Sequence, residues 1–125
     1  MTARAPIGLT VLGAVAVVLA GCGGASHAAT PSSWKPARGK MLIEYYGCGA
    51  CHRIGGISLA NGHVGPPLTN FVRRYRLIAG VMPNTPRNVV RWILDPPKIV
   101  PTVDMPDLGL GRRGAEDVVA YLYRQ

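Results

Sequence analysis

Three stretches of this chain place apolar residues at helical spacing, and no run of β-branched residues flanks residues 48–51 as a strand would. In ARGKMLIEYYG, residues 37–47, Gly39 and Ile43 lie four apart and share one face. A second stripe, Val89, Val90, Ile93 and Leu94, follows Thr85-Pro86. Threonine there offers a capping hydroxyl, and proline suits the first helical position. Asp95-Pro96-Pro97 ends this stripe, because proline turns the preceding residue away from helical backbone. The third stretch, residues 115–122, sets Val118, Tyr121 and Leu122 at i, i+3 and i+4. Between the last two, Ile99 to Gly111 carries Pro101, Pro106 and Gly109 and is expected to be free of helix. The pattern predicts an all-α fold of three to four helices.

The N-terminus is patterned differently. Arg4 precedes an uncharged apolar run from Ile7 to Ala20, which ends in Leu19-Ala20-Gly21-Cys22. The run is short for the ~20 residues a bilayer span needs. Its flanks suit an export signal, and the tetrapeptide resembles the bacterial lipobox, in which the cysteine is lipidated and the preceding peptide removed. Residues 1–21 are thus expected to be a lipoprotein signal peptide, with Cys22 the lipidation site anchoring the chain to a bacterial membrane on its periplasmic or extracytoplasmic side. Two acyl chains make such residence durable where one does not. Residues 22–34 are small and polar and read as a flexible tether, with an r.m.s. span of roughly 20 Å and a stretched limit of about 40 Å. Residues 35–125 form the remaining domain.

Composition sharpens this outline. Fourteen Lys and Arg against 6 Asp and Glu give +8 over 125 residues; the chain from Cys22 keeps 13 of those cations and every acid, for +7. One Phe and two Trp make a modest core for about 90 residues, a size at which a cofactor often supplies missing apolar volume. Arg73, Arg74 and Arg76, with Arg112 and Arg113, are clusters suited to acidic docking partners or anionic headgroups.

The chemistry lies in GCGACHRIGG, residues 47–56. A structural zinc site needs four ligands, and beyond His52 the chain offers no cysteine and one histidine, His63. A redox disulfide of this spacing belongs in a βαβ setting, which is absent here. Covalent haem uses all of Cys48-Gly49-Ala50-Cys51-His52. The two thiols, one helical turn apart, form thioethers with the vinyl groups, and His52 lies under the iron. The cysteine count then closes: one for lipid, two for haem.

From residue 37 to about 123 the order of motifs resembles a small class I cytochrome c. It is most similar to the cytochrome c domain fused to subunit II of some haem–copper oxidases, here without a copper-site sequence or transmembrane pair. The resemblance implies helices wrapped around one covalent haem c. It implies that Gly39 lets the last helix cross closely, with Tyr121 its aromatic partner. In Gly65-Pro66-Pro67-Leu68 it implies that the Pro66 carbonyl accepts the His52 ring N–H and that Leu68 lies against the haem face. Trp92 or Arg91 is a candidate propionate partner, and Trp92 is equally a candidate for the core.

For the sixth ligand, Met41 is too close to Cys48 to reach the far haem face. Met105, in the helix-free loop before the last helix, matches the family's Met-Pro pair; Met82, also before a proline, is the rival, and His63 the third candidate. Two protein ligands leave no open coordination position. The expectation is therefore an electron carrier, not an enzyme. Its implied partners are a quinol-oxidising complex or dehydrogenase as donor and a terminal oxidase as acceptor, with no role in nucleic-acid binding. A dedicated haem subunit of an oxidoreductase complex is the alternative, and a five-coordinate gas-binding haem requires that neither methionine ligates.

Overall fold

The computed structural model describes residues 1–2 and 29–125; the expected signal peptide, Cys22 and most of the tether lie outside the described residues. Five helices follow in order: α1 Pro36–Tyr45, α2 Phe71–Arg74, α3 Pro86–Leu94, α4 Pro96–Ile99 and α5 Arg112–Leu122. A 3-10 turn, Cys48–Ala50, follows α1, and an antiparallel ribbon pairs β1, Leu77–Ile78, with β2, Met82–Pro83. The all-α expectation holds in outline. The additions are two one-turn helices and the ribbon, each too short to show a period in sequence. Among the described residues no helix is long and apolar enough to cross a membrane.

α1 begins on a proline, and its capping position, Lys35, supplies no side-chain cap. The buried carboxylate of Asp117 in α5 takes that role: Oδ1 accepts the Lys35 N–H at 2.6 Å, and Oδ2 accepts from Arg38 Nη1 at 2.8 Å. A negative group at a helix N-terminus satisfies a free donor and opposes the helix dipole. At the other end Gly47 adopts φ +67°, the left-handed conformation that ends helices at glycine, and turns the chain into Cys48.

α5 is the centre of the fold and packs on both α1 and α3. Ala115, Val118, Val119 and Leu122 are buried on it. It crosses α1 at Gly39, where a methyl group would collide with the Asp117 carbonyl and lie 2.9 Å from the Val118 nitrogen. The partner of Gly39 is thus the backbone of Asp117 and Val118. Tyr121 donates its hydroxyl to the Gly55 carbonyl at 2.8 Å. Side-chain spacing could not distinguish these contacts, since both residues lie on the inner side of α5.

α3 starts as expected: Thr85 Oγ1 accepts the Asn88 N–H at 3.3 Å, and Pro86 takes the first position. Asp95-Pro96-Pro97 does more than stop it. Asp95 Oδ1 accepts the Lys98 N–H at 3.1 Å and opens α4 in a new direction. The chain then runs without helix from Val100 to Gly111.

Candidate functional site

Cys48, Cys51 and His52 are brought together by one local turn. The Cys48 carbonyl accepts the N–H of both Cys51, at 3.3 Å, and His52, at 3.0 Å. Both thiols are free and half-buried. Burial pushes the Cys48 thiol above its usual range, outweighing a backbone hydrogen bond that lowers it, and the neighbouring Cys51 adds to the rise.

The chain then loops out and returns alongside this turn. Gly62 N–H donates to the Gly49 carbonyl at 3.0 Å, Gly65 to Cys51 at 2.8 Å and Leu68 to Arg53 at 2.8 Å. These bonds bring the Pro66 carbonyl to 2.7 Å from His52 Nδ1. A carbonyl can only accept, so Nδ1 carries a hydrogen, and in the neutral ring this leaves the lone pair on Nε2. Gly65 lies against the imidazole itself. A methyl group on it would meet the ring, 2.6 Å from Nδ1 and 2.9 Å from Nε2. The orientation and tautomer of His52 are thus set by two consecutive residues.

A cleft opens above this ring in two overlapping lobes, which share Tyr46, Cys48, His52, Met105 and Leu108. The larger lobe, about 1010 Å³ including its open side, is walled by Leu68, Phe71, Tyr75, Val89, Trp92 and Leu110 among others. The smaller, about 740 Å³, adds Cys51, Val64, Gly65, Val103 and Pro106. The walls are overwhelmingly apolar, and sulfur and imidazole are the principal donors reaching in.

The candidate residues separate clearly here. Cys48, His52, Pro66, Leu68, Trp92 and Met105 all line the larger lobe, and Cys51 lines the smaller. Trp92 belongs to the core as well, so its two readings are not exclusive. Met82 sits in β2, packed against the core, and lines neither lobe; His63 is exposed and Arg91 is too, and neither faces the cleft. Cys22 lies outside the described residues. Among the described residues no group of three or more His, Cys, Asp or Glu is placed to hold a bare metal ion.

Two lining residues were given no site role in the sequence. Tyr46, at the end of α1, borders both lobes, and Gly65 was legible only as part of a turn. The far wall is braced by a polar chain: Tyr123 donates its hydroxyl to Asn84 Oδ1 at 2.8 Å, and Asn84 Nδ2 donates to the Tyr75 carbonyl at 2.8 Å. Burial raises the Tyr123 phenol, which therefore stays a donor.

Two thiols, an imidazole whose Nδ1 is held by Pro66, a thioether on the same cleft and apolar walls form a donor set that fits covalent haem. The chain is similar to part of an oxidase subunit. Over 93 residues it is 32% identical to the cytochrome c oxidase subunit 2 of Alkalihalophilus pseudofirmus. The match covers 74% of this chain but only 26% of that protein, so the chain spans about a quarter of its relative. No family model matches the chain, and no solved structure does.

Proposed function

We propose that this chain is a lipid-anchored monohaem cytochrome c of the class I type, carrying single electrons between respiratory components on the extracytoplasmic side of a bacterial membrane. The observation that carries the reading is the apolar cleft shared by Cys48, His52 and Met105, with the His52 tautomer fixed by Pro66. In this reading Cys48 and Cys51 hold haem c by thioether bonds, and His52 Nε2 and the Met105 sulfur hold its iron. Haem supplies a reversible one-electron change between ferric and ferrous iron.

The protein's part is positional. Pro66 and Gly65 hold the imidazole in one orientation, so little rearrangement accompanies a change of charge. The Nδ1–H···O bond raises the basicity of Nε2. Leu68, Phe71, Trp92 and Leu110 exclude water from the cleft, and a neutral thioether at Met105 favours the reduced state relative to a second imidazole. With His52 and Met105 both holding the iron, no position would be left for a substrate, and electrons would pass to and from partner proteins: a quinol-oxidising complex or dehydrogenase as donor, a terminal oxidase as acceptor.

The likeness to an oxidase subunit favours one variant of this reading, in which the chain is a haem-bearing subunit held by an oxidase instead of a free carrier. Native isolation from membranes separates the two by whether the chain co-purifies with oxidase subunits. The core proposal is tested by denaturing electrophoresis with peroxidase staining and by intact mass. Covalent haem is expected, and Cys51→Ala is expected to prevent most maturation; pigment extracted from wild type by acidic acetone would overturn the reading.

A further inference from the structure

Among the described residues of the domain, six large apolar side chains stand exposed: Met41, Tyr45, Leu59, Val64, Val81 and Leu108. Val64 and Leu108 border the cleft, and Leu59 and Val81 stand singly on turns. Met41 and Tyr45 differ. They lie four apart on α1, 63% and 83% exposed, and with exposed Ala37 make a continuous stripe along its outer face. The opposite side of the same helix, Leu42, Ile43 and Tyr46, faces the cleft. Lys35 and Lys40 flank the stripe, exposed and without a carboxylate partner among the described residues. Arg38 is half-exposed and paired with Asp117, and Glu44 is the one acid on α1.

The chain itself indicates what covers this stripe. Trp34 is half-buried against the core, so the tether leaves the domain at the first turn of α1. The segment from 23 to 34, read as a tether from its small and polar composition, would span roughly 20 Å r.m.s.. A domain of this size is about 30 Å across, so α1 is the element held closest to the anchored end. A tyrosine and a methionine flanked by lysines suit the boundary between headgroups and acyl chains, where aromatic rings and lysine stems each place one end in each medium.

We propose that the outer face of α1, carrying Ala37, Met41 and Tyr45, rests on an anionic phospholipid surface and turns the cleft away from it. The inference depends on the reading of Cys22 as lipidated. Contact with the bilayer removes the stripe from water, and Lys35 and Lys40 meet the lipid phosphates. The domain is thereby held in one attitude, with the cleft free for a partner arriving from the aqueous side.

The test is hydroxyl-radical footprinting of the mature full chain in phosphatidylglycerol–phosphatidylethanolamine vesicles, against a Cys22→Ser form in solution. Labelling of Met41 and Tyr45 is expected to fall several-fold in vesicles, while Leu59 and Val81 label as in solution. Ala37→Glu with Met41→Glu, which alters no cleft residue, is expected to return Tyr45 to its solution rate with the anchor intact. Equal labelling of all four sites in lipid-bearing protein, or continued protection of Tyr45 in the double variant, overturns the proposal. Protection of Met41 and Tyr45 in the Cys22→Ser form without vesicles assigns the stripe to a second copy and also overturns it. Mass analysis of the N-terminal peptide separates these failures from that of the anchor: an unlipidated, soluble wild-type chain removes the anchor and this inference together, and leaves the haem reading standing.

Discussion

Gly65→Ala adds one methyl group at the most constrained point of the cleft. The new Cβ falls within 2.9 Å of both His52 ring nitrogens, which is closer than carbon and nitrogen can sit. Either the imidazole rotates or the segment through Pro66 moves, and both stretch the 2.7 Å bond from Nδ1 to the Pro66 carbonyl. Losing that bond costs ~0.5–1.5 kcal/mol, and overpacking a tight site costs ~1–3 kcal/mol. Together the loss is about 2–4 kcal/mol, on the order of 10–25 °C in Tm for a domain of this size. Gly55→Ala is the matched comparison. Its methyl group meets the end of the Gln125 side chain, which can move aside, and the cost is expected below ~1 kcal/mol. Thermal unfolding followed by far-UV circular dichroism reads the stability. Reduced-minus-oxidised spectra and a redox titration read the site, where Gly65→Ala is expected to raise the potential, because a weaker Nδ1–H···O bond leaves Nε2 a poorer donor to ferric iron, or to yield partly high-spin iron. Equal Tm values for the two variants, together with a wild-type potential in Gly65→Ala, would refute the argument that Gly65 sets the ring.

Three further outcomes follow from the geometry. Met105→Ala is expected to keep covalent haem but let the reduced form bind carbon monoxide, whereas Met82→Ala keeps the wild-type spectrum, because Met105 lines both lobes and Met82 neither; the reverse result would move the ligand to Met82. Asp117→Ala leaves the Lys35 N–H without its acceptor and is expected to cost about 2–4 kcal/mol in urea unfolding, since an unmade buried bond and a small cavity add. The half-exposed Arg38 contributes under ~1 kcal/mol of that, so Arg38→Ala with an equal loss would show that the ion pair dominates. In haem-free protein, alkylation of Cys48 by iodoacetamide is expected to require a pH above the ordinary thiol range, because burial disfavours its thiolate; peptide mapping across pH checks it, and half-maximal labelling at or below that of an unfolded control would contradict it.

The parts of this protein settled by residues a few positions apart were legible in the sequence. Cys48, Cys51 and His52 converge because a single turn joins them, and Thr85-Pro86 starts α3 because capping acts over three residues. The helical stripes were visible for the same reason, since the repeat of a helix is local. Resemblance placed Pro66 under His52 across 14 positions, and the structure forms that bond through a returning segment stitched to the turn by backbone bonds. What packing decided had no local trace. Gly39 meets the backbone of Asp117 and Val118 most closely, because the crossing of two helices is set by their whole surfaces. Met105 and Met82 each precede a proline, and only the path of the loop from Val100 to Gly111 brings one of them to the cleft. Asp117 is a charge within an apolar stripe, and only the packing of α1 on α5 gives it a role, as the acceptor at the N-terminus of α1. Spacing along the chain determines which residues share a turn or a face; only the closed fold determines what that face meets.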